Sequence, residues 1–310
     1  MSKRFLIFTA AYGSNTLPTA FLESARQAGI EADIVLIRHK RDREVEQELQ
    51  RYYPTTYVIA PLRHELLRAV RKALLSTRLV VPIAKITQAV WARSRILRKK
   101  IEPLVPYLLG IMASRFFLAR AYLAANENGY SAVLLVDSRD VVFQRNPLDD
   151  FEGGLLIGKE NCVIEDQLQN REWLQKIYGG SPEVLNELWF NKVICAGVTL
   201  GTTTQILSYL DQMCAEFIEQ LPRLAYMEYF DQAVHNKLLY GDPDNLDLRF
   251  TDNSKGIVAH LATSNLSEFE EDWSEGLCTK SGRMISIVHQ YDRHPELMRV
   301  LLGRLESNLK

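Results

Sequence analysis

Cysteine is scarce in this sequence and unpatterned: Cys162, Cys195, Cys214 and Cys278 contain no CxxC pair. That spacing signals neither a disulfide framework nor a zinc site, so a reducing cytoplasm is the expected setting. Long apolar runs are missing as well. No window approaches the ~18 consecutive apolar residues of a spanning helix. The apolar run in MSKRFLIFTAAYG is too short for the core of a signal peptide. Net charge is close to zero, −1 over 310 residues, which argues against nucleic acid as a bulk partner. There is no internal repeat and no low-complexity segment.

What is present is an ordinary globular composition, 47% hydrophobic and 24% charged, on a chain long enough to bury a large core. Phe5 to Ala10 and Ala32 to Ile37 read as buried strands that are apolar but for Thr9 and Asp33, and between them Pro18 to about Gln27 reads as a helix stopped by Gly29. Strands that are apolar on both faces belong in a parallel sheet covered by helices on both sides. A helix is expected over Ser114–Asn126, then a buried strand over Ala132–Val136 that ends on Asp137. Further strands are expected near Ile194–Leu200, Leu246–Phe250, Ile257–His260 and Ile285–Val288. Helices are expected over Thr203–Gln220, from near Glu228, and over Pro295–Leu305. The fold class is therefore α/β, with a mixed, mainly parallel sheet, and residues 1–310 read as one catalytic-size domain.

Residues 61–100 interrupt this alternation. They carry eleven Lys or Arg against the single acid Glu65, so the rest of the chain is correspondingly acidic. Leu66, Leu67, Val70, Leu74 and Leu75 share one face of an amphipathic basic helix, and a second helix is expected over about Ile83–Arg98. This insertion either meets acidic parts of the same protein or faces an anionic surface such as the inner face of a membrane, where Trp91 would suit the interface.

Ligands of open parallel sheets bind beyond the carboxyl ends of the strands. Two such ends are polar here. Thr9, Ala11 and Tyr12 offer small residues, an aromatic face and backbone amides for a nucleotide. Asp137-Ser138-Arg139-Asp140 puts two carboxylates within one turn, which costs free energy unless an arginine or a metal ion compensates them. A hard divalent cation takes such carboxylates together with substrate phosphates.

The segment VLLVDSRDVVFQRNPL resembles the acidic metal-binding motif of GT-A fold glycosyltransferases, in which carboxylates at a strand end hold Mn²⁺ or Mg²⁺ on a sugar-nucleotide diphosphate. Asp137 and Asp140 are separated by two residues where that motif has one, and the VVF that follows aligns Asp140 with its second aspartate. Cys195-Ala196-Gly197 is similar to the small-residue strand facing the donor sugar, with cysteine in place of the usual serine or asparagine. Asp231-Gln232 resembles the pair set beside the reacting sugar. His289 resembles the late histidine that completes the metal site in the retaining, glycogenin-like branch. The resemblance implies a Rossmann-like GT-A sheet, a nucleotide-sugar donor with UDP-sugars favoured, and a glycan or lipid-linked acceptor. The implied metal ligands are Asp137, Asp140 and His289, with His260 as the rival histidine. Arg115, Ser138, Arg139, Cys195, Ala196 and Gly197 are implied at the donor, with Asp231 and Gln232 as catalytic residues.

Two other readings remain. A nucleotidyltransferase on a related sheet would want a glycine-rich, basic loop after the first strand, and TAAYGSN has neither feature. A non-catalytic carbohydrate- or membrane-binding scaffold would have no need to keep Asp140, Asp231 and His289 together.

Overall fold

The computed structural model describes residues 4–11, 18–38, 43–59, 64–93, 95–241 and 243–307. Its strands are β1 (Arg4–Ala10), β2 (Ala32–Ile37), β3 (Thr56–Ile59), β4 (Tyr130–Asp137), β5 (Val141–Phe143), β6 (Leu155–Val163), β7 (Lys192–Thr202), β8 (Leu248–Thr251), β9 (Val258–His260) and β10 (Ile287–His289). Seven of them form one sheet in the order β3-β2-β1-β4-β7-β6-β8, and the other three form a small sheet in the order β5-β10-β9. In the large sheet β7 alone runs against its neighbours β4 and β6; the other pairs are parallel. The architecture is mixed α/β with a mainly parallel sheet flanked by helices.

The apolar strands explain the layering. Alternate residues of a strand face opposite sides, so Leu6 and Phe8 pack with Phe116, Phe117 and Phe217 on one face. Phe5 and Ile7 pack with Phe21, Leu22 and Leu49 on the other. The helices Ile111–Ala125 and Thr203–Glu219 cover the first face; Thr19–Gln27 and Arg43–Tyr52 cover the second. A separate apolar cluster, with Val142, Ala259, Val288, Leu297 and Leu301, lies under the small sheet and seats the Pro295–Ser307 helix.

The expected helix near Glu228 begins at Asp231, and the expected second basic helix over Ile83–Arg98 is two helices, Val80–Arg93 and Arg95–Ile101. No single helix among the described residues is long and apolar enough to cross a membrane. Within the insertion the basic residues divide. Arg71 turns inward, donating to the carbonyls of Met227 at 3.1 Å and Ala225 at 3.4 Å. Arg98 stacks on the half-buried Trp91 ring at 4.3 Å, so Trp91 serves the protein's own packing. Lys72, Arg78, Lys85, Arg93 and Lys100 stay exposed, next to the exposed apolar side chains of Val70, Leu79, Ile86, Leu97 and Leu104.

Arg71 thus ties the insertion to the loop that leads into Asp231. Arg71→Ala strips the donors from two carbonyls in that loop and should lower unfolding free energy by about 1–3 kcal/mol. Lys72→Ala, on the exposed face, should change it by less than about 0.5 kcal/mol. Urea unfolding of the two variants checks the contrast.

Candidate active site

The Asp137–Asp140 turn is the point where the chain leaves one sheet for the other. β4 ends on Asp137 in the large sheet, and β5 starts at Val141 in the small one. β5 pairs with β10 so that Val141 lies opposite His289. The amide of Gln290 closes the junction on the Asp140 carbonyl at 2.7 Å, and Gln290 adopts a left-handed φ of 63° to do so. Two distant segments are thereby forced together at one strand end.

The result is a three-residue cluster. His289 Nε2 lies 3.7 Å from Asp140 Oδ1 and 3.9 Å from Asp137 Oδ2, and one ligand atom from each of the three residues fits within 4.8 Å of the others. These separations are too long for direct hydrogen bonds. They suit donors sharing one cation, because atoms about 2.0–2.5 Å from a common ion lie roughly 3–4.5 Å apart. Two carboxylate oxygens and an imidazole nitrogen form a donor set for a hard or borderline divalent ion such as Mn²⁺ or Mg²⁺. His289 and Asp140 are buried, and Asp137 is half-buried and opens to the cleft.

Arg115 supplies fixed positive charge. Its guanidinium is paired with Asp137 through one nitrogen and with Asp231 through the other, the latter at 2.7 Å. Burial acts to remove its proton, but the facing Asp137 and Asp231 carboxylates override that and hold it charged. Asp231, the first residue of its helix, is thus held by the guanidinium as well. Arg139, 77% exposed, makes long contacts of 3.4 Å with Asp140 and 4.0 Å with Asp292, which screening renders weak.

A cleft of about 520 Å³ opens over this cluster. Cys195, Ala196 and Gly197 on β7 line it, as do Asp137, His289, Arg115, Asp231 and Gln232, with Trp173 and Tyr229 on its wall. Glu160 on β6 also lines it, and the sequence reading passed over this residue. Its signal resembled that of Asp137, an acid close behind an apolar run, LLIGKE, with Lys159 between. Glu160 is 3% exposed and accepts a hydrogen bond from Thr263 Oγ1 at 3.2 Å. Burial raises its carboxyl pKa, against the lowering by hydrogen bonds from Thr263, Cys195 and Gln232. Burial, and next Glu160, push the Cys195 thiol well up, so it is a thiol rather than a nucleophilic thiolate.

Several expected donor contacts are placed elsewhere. Ser138 is buried and donates to the Ala10 carbonyl at 3.1 Å, so its hydroxyl ties β4 to β1 and does not face the cleft. Arg139 is outside the cleft lining. Thr9 is buried beside Arg115, Phe116 and Ala196 in a small internal pocket, and Ala11 donates its amide to the Ile37 carbonyl at 2.9 Å. Tyr12 lies outside the described residues. His260 sits behind His289, with Nδ1 3.0 Å from His289 Nδ1, and is grouped with Cys195 and His289 rather than with the carboxylates. Burial, and next His289, hold it well below the usual imidazole range.

No family model matches the chain, and no curated protein matches it in sequence. Among solved structures it is similar to WbbM, a bifunctional glycosyltransferase in its apo form, at 13% identity and a TM-score of 0.46 over 93% of this chain. The chain spans 46% of that protein's length.

Gly197, implied at the donor, also packs against the metal-site residues: a Cβ there would overlap the His289 ring, 2.7 Å from Nε2, and lie 3.0 Å from Asp137 Oδ2. Gly197→Ala should therefore weaken Mn²⁺ binding by about 10–100-fold, the scale at which disturbed ligand orientation acts. Titration followed by Mn²⁺ paramagnetic resonance measures it without any substrate.

Proposed function

We propose that this chain is a metal-dependent glycosyltransferase that moves a sugar from a nucleoside diphosphate donor to a glycan or lipid-linked acceptor. The observation that carries this reading is the convergence of Asp137, Asp140 and His289, with Arg115 beside them, at the rim of a cleft lined by Cys195, Ala196 and Gly197. Breaking the sugar–diphosphate bond places negative charge on the departing nucleotide, and a site for that reaction must hold fixed positive charge where the charge develops. A divalent cation held by Asp137, Asp140 and His289 supplies Lewis-acid stabilisation of the diphosphate.

The protein's own groups do the remainder. Arg115 is fixed between Asp137 and Asp231 and needs no reorganisation to face the diphosphate. The small side chain of Ala196 lets the sugar ring approach β7. Asp231, held on the other nitrogen of Arg115, lines the cleft, where its carboxylate favours the positive charge that grows on the sugar in the transition state. Gln232 and Glu160 offer hydrogen bonds to sugar hydroxyls, and Trp173 and Tyr229 offer faces to the acceptor. UDP-sugars are the donors to test first.

The test is donor hydrolysis with and without Mn²⁺. Asp140→Asn should abolish turnover and weaken nucleotide binding only when the metal is present; wild-type turnover in this variant would move the metal site elsewhere. Asp231→Asn should keep donor affinity within a few-fold and lower turnover, since its carboxylate acts when charge develops. Lost affinity with an unchanged turnover number would reverse that assignment.

The exposed face of the basic insertion supports a second element of the reading, contact with an anionic membrane surface. Lys72, Arg78, Lys85, Arg93 and Lys100 stand beside exposed Val70, Leu79, Ile86, Leu97 and Leu104. Each basic residue near such a surface is worth about 1 kcal/mol. Co-sedimentation with phosphatidylserine vesicles should fall with added salt and disappear when these five cations become glutamine, with donor hydrolysis unchanged. Equal sedimentation of the variant would leave the cations to solubility alone.

A further inference from the structure

Behind the His289 ring, away from the carboxylates, stands a second buried histidine. β9 and β10 are parallel, and their register sets His260 directly opposite His289. The rings meet edge to face, 84° apart in plane, with the two Nδ1 atoms 3.0 Å apart. A contact of that length between two imidazole nitrogens needs one proton between them and a lone pair on the other side.

The direction of this hydrogen bond has a consequence at the far end of the His289 ring. For Nε2 to present a lone pair to a cation, neutral His289 must carry its proton on Nδ1 and donate it to His260 Nδ1. In the reverse arrangement His289 Nε2 carries the proton and cannot be a ligand. His260 is held firmly enough to matter. Its amide donates to Asn253 Oδ1 at 2.9 Å, its carbonyl accepts from Ser264 Oγ at 2.8 Å, and its ring is fully buried. Its Nε2 finds no partner among the described residues and lies against Gly158, where a Cβ would overlap it.

We propose that His260 is a positioning residue: it accepts the Nδ1 proton of His289 and so holds His289 in the ring orientation and tautomer that turn Nε2 toward Asp137 and Asp140. The inference rests on the metal reading of that cluster and adds the group that prepares its imidazole ligand. Hydrogen-bond partners on the remote nitrogen of ligating histidines act in this way generally, and their loss weakens metal binding about 10–100-fold. Gly158 is part of the same device, since only a residue without Cβ leaves space for the His260 ring.

The experiment uses the full chain and Mn²⁺ alone, followed by paramagnetic resonance. Wild type should bind Mn²⁺, and Asp140→Asn should lose it; if either fails, the metal reading falls and this inference with it. His260→Leu, which has no acceptor, should bind about 10–100-fold more weakly, and His260→Gln, which keeps one, should recover most of that loss. Unchanged affinity in a folded His260→Leu protein, with Asp140 still required, overturns the positioning role alone. A measurement on wild type guards against a variant that does not fold. With ¹⁵N-histidine labelling and Mg²⁺, His289 should be protonated at Nδ1 and show a through-bond coupling to His260 Nδ1; a proton on His289 Nε2 overturns the proposal. Co²⁺ should give no thiolate charge-transfer band, because a band dependent on Cys195 would make His260 and Cys195 ligands themselves and overturn it as well.

Discussion

The ion pairs of Arg115 are the constraint on which the site depends. Asp137, Asp140 and Asp231 crowd one end of the sheet, two of them buried and the third half-buried, and carboxylates there repel one another unless cations are built in. One buried guanidinium, projecting from the helix that covers the first face of the sheet, takes Asp137 and Asp231 together. A planar fork with several donors can serve two acids at once, whereas an ammonium would act as a single point charge. Asp137 Oδ1 is occupied by this pairing, which leaves Oδ2 toward Asp140 and His289. The arginine and the proposed metal are therefore not alternatives for the same carboxylate; they use opposite sides of it.

That division of labour needs Asp140 and His289 to arrive at the free side of Asp137, and the change of sheet accomplishes it. Had β4 simply continued into a loop, nothing would fix the second aspartate relative to a histidine some 150 residues later in the chain. Instead the three residues of β5 pair antiparallel with β10, and the Gln290 amide is bonded to the Asp140 carbonyl. The cost is a left-handed backbone at Gln290, a local strain of the kind proteins retain where geometry is over-determined by its surroundings.

Much of the frame was legible because its signals are local. The continuous apolar runs of β1 and β2, the acid closing β4 and the long helix after β7 are all written in stretches of ten to twenty residues, and each is found within a few residues of its expected place. Among the elements that escaped notice, β6 has a local apolar run that was passed over, whereas β5 and β3 lack such a signal. β5 is the three residues VVF, read only as an apolar tail of the acidic motif, and β3 is the four residues TYVI in an uncharged stretch between Pro54 and Pro61. The relation between His260 and His289 was also illegible. Two similar strands each ending in histidine looked like competitors for one role, and only the parallel pairing of β9 with β10 shows that one stands behind the other. Ser138 misled for a related reason: its position between the aspartates suggested the donor, whereas strand pairing turns its hydroxyl to Ala10.

The basic insertion shows why net charge alone could not decide between an internal and an external role for its cations. A cation facing inward must find acceptors, and Arg71 and Arg98 do so mainly on backbone carbonyls and an indole face, with Glu228 adding a longer ion pair of 4.0 Å to Arg71. Those two are consumed by folding and are unavailable to a partner. Among the described residues, the cations left over (Lys72, Arg78, Lys85, Arg93 and Lys100) stand beside exposed leucine, isoleucine and valine side chains, an arrangement that costs solvation in water. Arg71 also anchors the loop from Ala225 to Met227, a few residues before Asp231. Whatever meets the outer face of the insertion is therefore connected, through one helix and one buried arginine, to the loop that carries Tyr229 and opens the Asp231 helix at the cleft wall.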